Sequence, residues 1–108
     1  MAELTTEVGD GGVIALSGDL TGAAEVTLTR AFDEASEAGT VVLDFTSLDY
    51  MNSTGIGLLV TTLVRAQRSH VRLLACGLSD HYREIFSLTR LDEAIPVFGD
   101  AGEALASA

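Results

Sequence analysis

The chain has 108 residues, a length that makes one domain and lets it bury about two-thirds of the surface its unfolded form exposes. Six basic against sixteen acidic residues leave a net charge of −10. That balance argues against nucleic acid and against an anionic membrane surface, both of which need Lys and Arg to meet phosphate. The electrostatic complement is a partner with a basic patch, although the charge also serves solubility by itself.

The composition removes further classes. All six basic residues are arginine, so no Schiff-base lysine, phosphate-loop lysine or lysine general base is available. The single Cys76 allows neither an intramolecular disulfide nor a multi-thiolate zinc site, in keeping with a reducing cytosol. The longest apolar stretch, Gly55 to Val64, is about ten residues against the roughly 20 of a spanning helix. With no charged, apolar leader at the N-terminus, the expected location is the cytoplasm.

In chain order, Leu4 to Val8 and Val13 to Ser17 read as two short strands joined as a hairpin across Gly9-Asp10-Gly11-Gly12. From Ala23 to Ala38 the pattern is helical, with Ala24, Leu28, Ala31, Phe32 and Ala35 on one face. Thr21 is its N-cap and Gly39 its terminator. Val41, Val42 and Leu43 form the unbroken apolar run of a strand buried on both faces. A loop, Thr46 to Asn52, leads into a second helix over Ser53 to Ser69. Val71 to Ala75 is the next buried strand, and Gly77 turns the chain. Ser79 and Asp80 cap a third helix that reaches Leu88 with Tyr82, Ile85 and Phe86 inward. Pro96 to Phe98 fits a last edge strand, and Asp100 to Ala106 a terminal helical turn or two.

Strand and helix alternate after the first two strands. The expected fold is therefore a single α/β domain over residues 1–108, with a mostly parallel four- to five-stranded sheet, an N-terminal hairpin-type strand and about four helices. In such sheets function gathers beyond the carboxyl ends of the strands. Those ends are Gly18 to Thr21, Asp44 to Ser47 and Cys76-Gly77, with the loop Tyr50 to Gly55 at the same edge.

The segment Asp44 to Gly57 carries the most information. Asn52, Ser53 and Thr54 are all good N-cap residues before an apolar periodic run, and a helix start accounts for them without any function. Gly55 and Gly57 fit less easily, because glycine in a helix costs roughly 1 kcal/mol relative to alanine, and close approach of another backbone would explain its use. On a helical wheel Ile56, Leu59, Val60, Leu63 and Val64 form the buried stripe. Leu58 is then exposed beside Thr54, Thr61 and Arg65, a small flat patch suited to docking. A hydroxyl at this helix start lies where backbone N–H groups favour an anion, so the fold would tolerate a phosphate. The phosphate would still add about −1.5 to −2 charges to any surface a partner must cover.

At these residues the sequence resembles the STAS domains of bacterial anti-sigma factor antagonists. The family pattern runs from an Asp-containing strand end through a short loop into Asp-Ser-(Ser/Thr)-Gly-(Leu/Ile)-Gly. Here it reads Asp44 to Asp49, then Asn52-Ser53-Thr54-Gly55-Ile56-Gly57. Leu16-Ser17-Gly18-Asp19-Leu20-Thr21 is similar to the family's Ser-Gly-Glu-Leu-Asp turn, and Gly77-Leu78-Ser79 through Phe86 and Leu91 to its third helix and exit.

The resemblance implies a partner-switching cycle. The unphosphorylated domain binds an anti-sigma factor that is also a serine kinase of the histidine-kinase-like ATPase type, phosphorylation of Ser53 releases it, and a metal-dependent serine phosphatase resets the cycle. Thr54 is the alternative acceptor. Asp19, Thr21, Asp44, Asn52, Thr54, Gly55, Gly57, Leu58 and Thr61 would form the docking surface, with no cofactor and no metal. Two residues depart from the family pattern. Asn52 stands where the family has Asp before the serine, and Thr21 where it has the Asp that closes the turn, so each removes a negative charge.

The rival readings are weaker. Ser53 as a nucleophile needs a base in reach. His70 is about 17 residues or 25 Å along the helix, and His81 reads better as a surface or capping residue. His70 and His81 lack a third ligand for metal. Gly55-Ile56-Gly57 lacks the third glycine of a dinucleotide fingerprint. A nucleotide-sensing domain and a STAS subunit of a scaffold or transport assembly stay as alternatives. Cys76, Met1 and Met51 read as structural.

Overall fold

The structure, a computed structural model, describes residues 2–108; Met1 lies outside the described residues. Five strands form one sheet in the order β1-β2-β3-β4-β5: β1 (Thr5–Val8), β2 (Val13–Leu20), β3 (Thr40–Met51), β4 (Arg72–Cys76) and β5 (Val97–Phe98). The β1–β2 pair is antiparallel and the remaining three are parallel. The helices are α1 (Glu25–Ala35), α2 (Ser53–Arg68), α3 (Asp80–Leu88), α4 (Leu91–Ala94) and α5 (Ala101–Ala106). The expected α/β architecture is present, with the short α4 added after the third helix.

Local chemistry accounts for the element ends. The Thr21 hydroxyl accepts from the Ala23 N–H at 3.3 Å and opens the 3-10 turn that leads into α1. Gly39 closes the helical segment with φ +83°, a left-handed conformation that suits glycine. Ser79 caps α3 and Asp100 caps α5 through their side chains. Val41, Val42 and Leu43 have no exposed surface, because β3 sits mid-sheet with helices on both faces.

The two faces of the sheet are covered unequally. One carries the main core, where Leu28 and Phe32 of α1, Leu59 and Ala66 of α2 and Phe86 of α3 pack on Ile14, Leu16, Leu43 and Leu73. Phe45 and Phe86 meet edge to face at 6.1 Å. The other face has a smaller cluster of Val42, Leu74 and Cys76 under Ala104 of α5.

Two expectations change. The polar run Thr46 to Asn52 is not a loop; β3 continues to Met51, because β2 itself extends to Leu20 and pairs Gly18 with Leu48, Asp19 with Tyr50 and Leu20 with Met51. Backbone pairing on the β2 side outweighs the turn-forming preference of these residues. The buried stripe of α2 is also rotated. Gly55, Leu58, Leu59, Thr62 and Ala66 face inward, whereas Val60 and Val64 are 45% and 40% exposed. Leu58 is therefore core, not surface, because α1 covers it beside Leu28 and Phe32.

Cys76 is fully buried at the end of β4. Its thiol is pushed up to about 12 by burial first, then by the charge and hydrogen bond of Asp44 and the more distant charge of Asp100. A thiol raised above its unfolded value near 8.5 stabilises the fold fully below that pH, and the contribution fades as pH climbs toward the folded value. Labelling of Cys76 by an aromatic disulfide reagent at pH 8 is expected to be slow, and to become complete at once in denaturant. Rapid labelling of the native protein would contradict this burial.

Candidate functional site

The extended β2 and β3 bring the end of β2, Gly18 to Leu20, with Thr21 and the start of α2 side by side. The Asn52 N–H donates to the Leu20 carbonyl at 3.3 Å. Three residues on, Gly55 rests against that same carbonyl. A Cβ on Gly55 would overlap the Leu20 oxygen and stand 2.7 Å from its carbon, so the glycine is a condition of this approach. Gly57 differs, since a Cβ there would meet nothing within 4 Å. The close-approach explanation holds for the first glycine alone.

Asn52 is the N-cap of α2. Its Oδ1 accepts the Gly55 N–H at 2.9 Å and the Thr54 hydroxyl at 2.7 Å. Thr54 Oγ1 in turn accepts the Gly22 N–H at 2.9 Å, tying the helix to the turn before α1. Both polar neighbours of Ser53 are thus committed to holding the backbone. Ser53 itself is the first residue of α2 and exposed, and its hydroxyl has no hydrogen-bond partner among the described residues. At 100° per residue, Ser53, Gly57, Val60 and Val64 fall within about 60° of one another. All four are exposed, so Ser53 heads a solvent-facing stripe of small and apolar residues.

The other expected site residues divide. Thr21 and Asp19 lie at this edge, where Thr21 caps its own turn and Asp19 Oδ2 accepts the Ala2 N–H at 3.3 Å. Thr61 lies about two turns along α2 beside the stripe, its hydroxyl donating to the Gly57 carbonyl at 3.1 Å. Asp44 is not brought to the group. Its Oδ1 accepts the Thr46 N–H and hydroxyl at 3.0 and 2.6 Å, and it pairs across the sheet with Ala15 and Cys76, far down β3 from Met51. Leu58 is inside, as above.

Sequence reasoning missed Gly22, whose contribution is a backbone N–H. It also missed Tyr82, whose hydroxyl accepts the Met51 N–H at 2.9 Å and steadies the strand end before the cap. Only the sheet geometry reveals either. Val60 and Val64 carried a signal at i+7 and i+11 from Ser53, but it was equally readable as core.

Thr54→Val is expected to cost about 1–2 kcal/mol in thermal or urea denaturation, because it strands the Gly22 N–H and removes a donor from Asn52, while Thr54→Ser retains both bonds. Equal stability of the two variants would remove the tether from this account. His70 is exposed at the far end of α2 and His81 lies 5.1 Å from the Tyr82 ring. No group of three or more His, Cys, Asp or Glu that could hold a metal ion occurs among the described residues.

A model of the STAS domain matches residues 2–104. The chain belongs to the STAS domain family. An anti-sigma-B factor antagonist of Listeria monocytogenes is 33% identical over 61 residues, covering 56% of this chain and 54% of that protein. The chain thus spans about half the length of the curated relatives it matches. Among solved structures, the Bacillus cell fate determinant SpoIIAA in its phosphorylated form superposes with a TM-score of 0.66 at 19% identity, over 96% of this chain and 97% of that one. A sulfate transporter family protein from Wolinella succinogenes gives 0.76 at 21% identity, over 94% and 87%. At these identities the structural likeness concerns the STAS fold. Among the described residues, no helix of this STAS domain is long and apolar enough to cross a membrane.

Proposed function

We propose that this STAS domain is an anti-sigma factor antagonist that works by partner switching, with Ser53 as the phosphorylated residue. One observation carries the reading: Ser53 is an exposed, unbonded hydroxyl at the head of the Gly57–Val60–Val64 stripe, between two residues whose side chains are already committed. The partial relative in Listeria, an anti-sigma-B factor antagonist, and a fold neighbour known in a phosphorylated form point the same way.

In the unphosphorylated state the stripe docks on an anti-sigma factor that is also an ATP-dependent serine kinase. Gly57 leaves room for close approach, and Val60, Val64 and the rim at Thr61 supply contact. Thr21, Asn52, Thr54 and Gly55 shape the edge, and Asp19 flanks it. Asp44 and Leu58 stay outside the contact face. Phosphorylation places about −1.5 to −2 charges at the head of that stripe, on a chain already at −10, and the partner must either desolvate them or leave. A serine phosphatase restores binding. Ser53 is a substrate in this cycle, and the domain performs no chemistry of its own.

Thr54 is disfavoured as acceptor. Its hydroxyl donates at 2.7 Å and accepts at 2.9 Å, so phosphorylation there would break the tether to Gly22. The test is intact mass and peptide mapping of the protein from its native host across growth conditions. One phosphoryl group on Ser53, absent in Ser53→Ala without transfer to Thr54, is the expected result. An unmodified protein under every condition would overturn the switch. It would favour the transport-associated assembly that the fold likeness to the Wolinella protein suggests.

A further inference from the structure

Half of the chain's arginines converge on one feature. A groove of about 640 Å³ runs between α1 and α2, floored by Leu28, Phe32 and Leu58. Arg30, Arg65 and Arg68, three of the six arginines, line it against only Glu25 and Asp33 of the sixteen acidic residues. Arg65 and Asp33 cancel. They form a bidentate pair across the two helices, with Nε–Oδ1 and Nη2–Oδ2 both at 2.9 Å. Arg30 and Arg68 are exposed and make no ion pair among the described residues. Arg30 and Arg68 against Glu25 leave the groove lining at +1, on a molecule of net charge −10.

The groove is also apolar at its lip. Val26 is 62% exposed on the α1 side and Val64 is 40% exposed on the α2 side. Val64 belongs as well to the stripe headed by Ser53, so groove and stripe are continuous along α2.

We propose that this groove docks an acidic amphipathic helix of the protein partner, its apolar side on Val26 and Val64 and its carboxylates toward Arg30 and Arg68. Charge complementarity selects this occupant. Long-range repulsion from the chain as a whole opposes an acidic segment, and the two unpaired arginines at the groove offset it locally. A helix laid between two helices covers both sides of the exposed lip at once, and α1, about 16 Å long, offers room for two to three turns. The proposal rests on the reading of this domain as a docking module and adds the chemistry of the partner segment. Net charge alone had pointed to a basic partner; the groove assigns an acidic contact within that interface.

The test is site-specific photo-crosslinking in the native host, with a benzoylphenylalanine residue replacing Val26 in the groove, Val60 in the stripe or Leu88 on α3 as a control surface. The expected result is one shared partner at Val26 and Val60, with the Val26 adduct mapping to a segment whose acidic residues recur at helical spacing. Reversing charge with Arg30→Glu and Arg68→Glu together should lower the Val26 yield about tenfold with unchanged thermal stability. An adduct at Val60 without one at Val26 overturns the groove proposal and leaves the switch standing. Absence of both overturns both. A basic or uncharged segment, a second copy of this chain, or indifference to the charge reversal also overturns the groove proposal.

Discussion

Gly55→Ala is expected to destabilise the domain by at least about 3 kcal/mol, lowering its midpoint of thermal unfolding by roughly 12 °C or more. The added methyl would overlap the Leu20 carbonyl oxygen, and neither backbone has room to retreat. On one side Leu20 pairs with Met51 and accepts the Asn52 N–H. On the other, Gly55 gives its own N–H to the Asn52 cap. Relief would require moving the end of β2 away from the start of α2, which dismantles the edge where Ser53 sits. Gly57→Ala is the control. Its Cβ points into open space, so it should gain about 0.5–1 kcal/mol from helix propensity. Calorimetry on both variants checks the pair. Similar behaviour of the two would mean that the approach of Leu20 to α2 is not as described.

A Ser53→Asp variant is expected to bind the partner captured by the Ser53→Ala variant at least about 100-fold more weakly, a difference of roughly 2.7 kcal/mol, with both variants folded to the same stability. The equality of stability is as important as the loss of binding. Ser53 is exposed and its hydroxyl supports nothing, so alanine removes no contact, and aspartate at a helix N-terminus meets a favourable dipole. The penalty appears only when a partner covers the Gly57–Val60–Val64 stripe and must desolvate the charge. Isothermal calorimetry with the purified partner measures the first quantity and thermal denaturation the second. Equal affinity of the two variants would leave Ser53 outside the interface.

The two departures from the family pattern acquire a physical meaning in the structure. Asn52 Oδ1 and Thr21 Oγ1 each accept the backbone N–H that a carboxylate at the same place would accept. The capping function of both positions is kept while two negative charges beside Ser53 are absent. A phosphate on Ser53, as proposed, would have a neutral amide as its preceding neighbour, which would lower the electrostatic cost of modifying this chain.

The local elements were legible because their signals are local. The capping residues Thr21, Ser79 and Asp100, the left-handed Gly39 and the apolar run Val41 to Leu43 act through hydrogen bonds and sterics within a few residues, so composition and spacing report them directly. The order of strands and helices followed from the same signals, and so did Ser53 at a helix start. The face of α2 that meets solvent was not legible. Leu58, Val60 and Val64 are all apolar, and periodicity accepts either of two stripes. The choice is made by α1, about 30 residues earlier in the chain, which covers Leu58 and leaves the valines outside. Asp44 and Ser53 belong to one motif on paper, yet β3 carries them apart because it stays extended beyond Thr46. That extension depends on a partner strand, as does the approach of Leu20 that makes Gly55 necessary. Propensity, capping and periodicity are properties of neighbouring residues and belong to the sequence; which surfaces cover one another is a property of long-range packing, and tertiary structure alone decided it.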